Sequence, residues 1–182
     1  MTTIVIALGG NALLRRGDPM DPAVQDRNVA AAAAALLGAV KPGDRLVLTH
    51  GNGPQVGLLA VADADRPGDL PFPLDVIDAE SEGMIGYLLA RHLNRPGGRP
   101  AAALLTQVLV DPADKAFAAP SKPIGPVVDE AAAQILISRR GWHVVQEAGS
   151  APGPGAEAPG WRRVVASPSP LGIVELESIR CL

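Results

Sequence analysis

Apolar residues along this chain gather into short runs divided by glycine- and proline-rich punctuation. Thr3-Ile4-Val5-Ile6-Ala7-Leu8 is apolar and rich in β-branched residues, the pattern of a buried parallel strand, and it ends in Gly9-Gly10-Asn11. Asp21 and Pro22 make an N-cap and N1 pair for a helix to about Val40, whose Ala30 to Ala35 run has strong helix propensity. Lys41-Pro42-Gly43-Asp44 reads as a turn and Arg45 to Thr49 as a second strand. The stretch His50-Gly51-Asn52-Gly53-Pro54-Gln55-Val56-Gly57 follows, opening a helix from Pro54 to about Ala64. Ile77, Met84, Ile85, Leu88, Leu89 and Leu93 recur at helical spacing between Leu74 and about Asn94. Pro96-Gly97-Gly98 stops that helix, and Ala101 to Val110 reads as a third strand.

Beyond Asp111-Pro112 the texture changes. Ala118 to Pro126 is loop-like in composition. Asp129 is placed to cap a helix to Arg140, with Gly141 at its C′ position. Trp142 to Glu147 and Trp161 to Val165 suggest a hairpin around the Gly/Pro loop Gly149 to Gly160, and a last helix is expected over Ile173 to Cys181. The alternation of strands and helices up to Val110 predicts an α/β sheet with right-handed crossovers. The less regular stretch at about 115–160 reads as an excursion from that sheet.

Composition narrows the classes. The 182 residues suffice for one substantial core, built mainly from Ala, Val, Leu and Ile because aromatics are only 3%. A net charge of −3 gives no support for a nucleic-acid partner, which usually needs a basic face. No apolar stretch approaches the roughly 18 residues of a membrane span, and Met1 to Leu8 lacks the layout of a signal peptide. The single cysteine, Cys181, rules out an intramolecular disulfide and leaves a reducing cytoplasm as the default.

The candidate chemistry lies in two loops. Gly9-Gly10-Asn11 and Gly51-Asn52-Gly53 both follow parallel-type strands, and open α/β sheets bind ligands at the carboxyl ends of their strands. Backbone N–H groups at the start of a helix suit an anion. Two tight turns without a ligand are the alternative reading. Gly51, Gly53 and Gly57 are spaced GxGxxxG, unlike the dinucleotide fingerprint, and no Gly-Lys-Ser/Thr is present for a Walker A loop. Among 16 basic residues only Lys41, Lys115 and Lys122 are lysines. Lys122 alone is braced between prolines, in Ser121-Lys122-Pro123-Ile124-Gly125, able to present a compact cation to phosphate or to remain a solvated loop residue. His50 beside the glycine loop is the one histidine of functional interest, and Glu80 and Glu82 do not share a helical face.

Ile6 to Leu13, Thr49 to Gly57 and Pro73-Leu74-Asp75-Val76 closely resemble segments of carbamate kinase, in the amino-acid-kinase superfamily. Glu82 to Tyr87, Leu105 to Asp111, Lys122 to Pro126 and Gly160 to Val165 extend the resemblance, in the family's order, across nearly the whole chain. It implies a three-layer αβα sandwich with a mainly parallel sheet and a small protruding subdomain at about 115–160. It also implies reversible phosphoryl transfer between ATP and carbamate, giving carbamoyl phosphate and ADP, by a magnesium-dependent cytoplasmic homodimer. Gly9, Gly10, Asn11, Gly51, Asn52 and Gly53 would surround carbamate and the transferred group, with Lys122 as electrostatic stabiliser and Asn11 beside it in catalysis. Residues 1–182 would be the amino-terminal, carbamate-side lobe, and the ATP-binding half would lie outside them. Ser169 and Leu171 stand where the family often has basic residues. A truncated, inactive module that binds an anion or dimerises is the alternative, and an acetylglutamate or aspartate kinase is a third reading.

Overall fold

In a computed structural model, residues 2–14, 21–65, 71–147 and 160–182 are described, with the backbone alone for Asn11 and Ala12. Residues 15–20, where the polar stretch between the first glycine loop and Asp21 reads as a turn, and nearly all of the loop Gly149 to Gly160 lie outside them. The chain divides into two compact units, Met1–Asn52 with Asp78–Leu105, and Gly53–Ile77 with Thr106–Leu182.

In the first unit, β1 (Thr3–Leu8) and β2 (Arg45–His50) pair in parallel, in register from Thr3↔Arg45 to Leu8↔His50. After β1 comes a one-turn helix α1 (Gly10–Leu13), then α2 (Pro22–Ala39). The Asp21 carboxylate accepts from the Ala23 and Val24 amides at 2.7 and 3.1 Å, so the expected cap forms. The helix α4 (Leu74–Leu93) supplies Ile85 and Leu89, which pack with Leu13 and Val29 as this unit's core. Apolar residues on the other face of the strand pair stay open, Val5 being 65% and Val47 37% exposed.

In the second unit, α3 (Gly53–Ala64) packs its Val56 and Ala60 with Ile77 and Ile124. A three-stranded antiparallel sheet has the order β4 (Lys122–Val128), β6 (Gly160–Val165), β5 (Val144–Glu147), so the expected hairpin is present as β5–β6. The helix α5 (Glu130–Arg140) starts at Asp129, whose carboxylate accepts from the Ala132 amide at 2.8 Å, and ends at Gly141 with φ 64°. A second antiparallel pair joins β3 (Val108–Val110) to β7 (Pro170–Ile173), before the short α6 (Leu176–Arg180).

Three local expectations change. The third strand shrinks to Val108–Val110, because residues 101–107 find no strand partner among the described residues. Lys122 to Pro126, loop-like in composition, is strand because β6 pairs with it, and its Pro and Gly are accommodated by a register break between Ile124 and Val128. The last helix is confined to Leu176–Arg180, since Pro170–Ile173 is recruited as a strand. The fold is α/β, and among the described residues the sheets are small and mixed.

Candidate functional site

The two glycine loops leave neighbouring strands at the same end. Leu8 and His50 are partners at the carboxyl ends of β1 and β2, and the Gly51 N–H donates to the Leu8 carbonyl at 3.1 Å. A methyl on Gly51 would meet the Gly10 nitrogen at 3.8 Å, an ordinary contact, so the loops lie side by side. Gly9 is extended, with φ −66° and ψ 157°, and Gly10 begins α1. Gly53 begins α3, whose second residue is Pro54, still in the turn where a missing N–H costs nothing. Gly9, Gly51 and Gly53 all lack a positive φ, and a methyl on Gly9 or Gly53 would meet nothing within 4 Å. Neither backbone conformation nor packing therefore requires glycine at 9 and 53, which leaves the space above the backbone open. The Asn11 side chain lies outside the described residues.

Asn52 has a structural task that the sequence did not reveal. Its amide nitrogen donates to the Asp78 carboxylate at 2.6 Å and to Ser81 Oγ at 2.7 Å. A carboxylate only accepts, so the amide nitrogen must face it. Ser81, fully buried, donates in turn to the Asp78 carbonyl at 2.8 Å. The loop after β2 is thus tied to α4 through both amide protons. Asp78 and Ser81 are three apart on one helical face, the only signal that marked them as a pair.

His50 is half-buried and its Nδ1 has no hydrogen-bond partner among the described residues. Burial holds its pKa below the ordinary 6.5, against the opposing charge of Glu82, so the imidazole is neutral at neutral pH. It acts as a packed group beside the loop and adds no cation to it.

Lys122 belongs to the second unit as the first residue of β4, opposite Val165 of β6, and it is exposed. It has no carboxylate partner among the described residues. The neighbouring strand carries two more cations. Arg162 Nε donates to the Gly125 carbonyl at 2.9 Å. Arg163 stacks on Trp142 with its guanidinium carbon 3.6 Å from the ring centroid, and burial lowers its pKa to about 10. Lys41 is exposed in its turn, and Lys115 opens a single 3-10 turn capped by Asp114. No group of three His, Cys, Asp or Glu suited to a metal occurs among the described residues.

What can this arrangement do? The first unit offers backbone N–H groups at adjacent strand ends, and the second a lysine with no ion-pair partner among the described residues. Those features suit an acceptor that is already anionic.

No family model matches the chain. It is 45% identical over 181 residues to the carbamate kinase of Rhizobium meliloti (strain 1021), covering 98% of this chain and 52% of that protein. Against the carbamate kinase of Haemophilus influenzae the identity is 44%, covering 98% of this chain and 55% of the relative. The solved structure of the Giardia lamblia carbamate kinase bound to citric acid matches with a TM-score of 0.86 and 38% identity, over 99% of this chain and 57% of that one. The chain thus spans slightly more than half the length of the relatives it matches, and the similarity is to their amino-terminal portion. No helix among the described residues is long and apolar enough to cross a membrane.

Proposed function

We propose that these residues form the carbamate-side portion of a carbamate kinase, catalysing reversible phosphoryl transfer between ATP and carbamate. The observation that carries this reading is the side-by-side placement of two glycine loops at the ends of β1 and β2, in a chain similar along its whole length to carbamate kinases. A carbamate oxygen attacks the γ-phosphorus while the bond to the β–γ bridging oxygen breaks, giving carbamoyl phosphate and ADP. Carbamate is anionic, so no proton need be removed, and catalysis rests on positioning and charge neutralisation. Backbone N–H groups of Gly9, Gly10, Gly51 and Gly53 cradle the acceptor and the phosphoryl group, with Asn11 at the start of α1. Asn52 serves by holding its loop in shape. Lys122 neutralises charge on the transferred group. The nucleotide brings its magnesium, and its binding residues lie mostly outside these 182.

The complete enzyme is a cytoplasmic homodimer with a three-layer αβα sandwich, from which residues at about 115–160 protrude. A luminescence assay for ATP made from ADP and carbamoyl phosphate tests this reading. It is run on the 182-residue chain and on the same chain joined to the remaining portion of the Rhizobium meliloti enzyme. The joined protein is expected to make ATP and to lose turnover with Lys122→Ala, while the chain alone makes none. Robust turnover by the chain alone would overturn the half-site assignment. Phosphorylation of acetylglutamate or aspartate, and not carbamate, would overturn the substrate.

A further inference from the structure

Gly57 of α3 and Gly125 of β4 meet backbone to backbone. A methyl on Gly57 would stand 2.0 Å from the Gly125 Cα and 2.1 Å from its nitrogen, far inside contact distance. A methyl on Gly125 would lie 3.1 Å from the Gly57 Cα, and Gly125 takes φ 71°, where an L side chain is strained. The surroundings hold this crossing in place. Val56 and Ile124, the residues beside the two glycines, are buried in one apolar cluster. The Gly125 carbonyl is fixed by Arg162, and the β4–β6 register breaks just after Ile124, so the strand bends at this point.

The crossing lies one turn into α3 and three residues past Lys122. At about 1.5 Å per helical residue and about 3.3 Å per strand residue, the amino end of α3 and the Lys122 Cα both fall within roughly 10 Å of it. We propose that Gly57 and Gly125 are positioning residues, whose contact without side chains sets where Lys122 stands relative to the amino end of α3. This rests on the assignment of Lys122 to phosphoryl transfer. A single methyl on Gly57 would part helix and strand by roughly 1.5 Å before ordinary contact is restored. Displacement of about 1 Å in a transfer site can cost about 100-fold in rate.

The test compares Gly57→Ala and Gly125→Ala with Val56→Ala, which thins the same core on the same helix and leaves the crossing intact. In the joined protein, Val56→Ala is expected to lower Tm and keep kcat. Gly57→Ala is expected to lower kcat about 100-fold with KM for ADP little changed, and Gly125→Ala to fall between. Full kcat in Gly57→Ala, or losses that simply follow Tm across the three variants, would overturn the proposal. Should Gly57→Ala fail to fold, Gly125→Ala carries the same comparison. Amide hydrogen exchange on the 182-residue chain gives a readout independent of activity. Either glycine variant is expected to speed exchange at Ile124 of β4 more than at Val145 of β5, and equal rates would contradict the crossing's role. If the unsubstituted joined protein makes no ATP, the kinase assignment fails, and the exchange data still decide whether the crossing positions β4.

Discussion

At the end of β2 the chain is held by a side chain: Asn52 spends both amide protons on Asp78 and Ser81 of α4. At β4 the chain is held by the lack of side chains, where Gly57 and Gly125 let two backbones touch. The polar clamp is directional, depends on charge, and fails when a donor is lost. The glycine crossing is steric, indifferent to pH, and fails when an atom is added. Both stand next to groups proposed to serve the same reaction, so the two kinds of support are separable by substitution.

The largest effect on the clamp is expected from Asn52→Asp. This change keeps the shape and replaces the donating amide with a carboxylate beside that of Asp78, so two hydrogen bonds are exchanged for like-charge repulsion. A loss of roughly 2 kcal/mol or more at pH 7 is expected in urea unfolding, against about 1 kcal/mol for Asn52→Ala. The gap between the two variants should narrow in about 1 M salt, which screens the repulsion. A salt-independent gap would show that the clamp is not electrostatic.

A smaller effect, of opposite sign, is expected beside the crossing. Gln55 in the first turns of α3 is 2% exposed, and neither of its amide atoms has a hydrogen-bond partner among the described residues. Gln55→Met keeps the length and removes two unpaired polar atoms, so unfolding free energy should rise by about 1 kcal/mol. Destabilisation by that change would mean that the amide does have a partner, such as an internal water.

The smallest effect is the pH response of His50. Its folded pKa lies below 6.5, so the unfolded chain binds more protons as pH falls through that value. Stability is therefore complete above about pH 6.5 and declines below it, and His50→Asn should flatten this part of a pH–stability profile. No change of slope in the variant would assign the decline to other groups.

Local chemistry explains what could be read in the sequence. Asp21-Pro22 and Asp129 announced helix starts, and Gly141 announced a helix end, because caps depend on neighbours within one turn. The strand-end glycine loops were legible for the same reason. Pairing was not. Lys122 to Gly125 looked like loop because proline and glycine are poor strand formers, and only β6, nearly 40 positions on, makes them strand. Ala101 to Gln107 has the apolar content of a strand, and composition alone gave it a partner it lacks among the described residues. Asp78 and Ser81 were invisible as site residues, since nothing in a helix sequence says which loop will dock on it. Gly57 was legible as part of a glycine motif, but its close approach to Gly125 depends on how α3 meets β4.

The central claim is that backbone N–H groups of the two loops hold the carbamate side of the reaction. It is tested most directly by ¹H–¹⁵N NMR of the 182-residue chain titrated with freshly dissolved carbamoyl phosphate. The expected result is saturable shifts concentrated on the amides of Gly10, Gly51, Asn52 and Gly53, with inorganic phosphate moving a subset of them more weakly. Shifts spread over the arginine-bearing strand β6 and absent from both loops would contradict the claim.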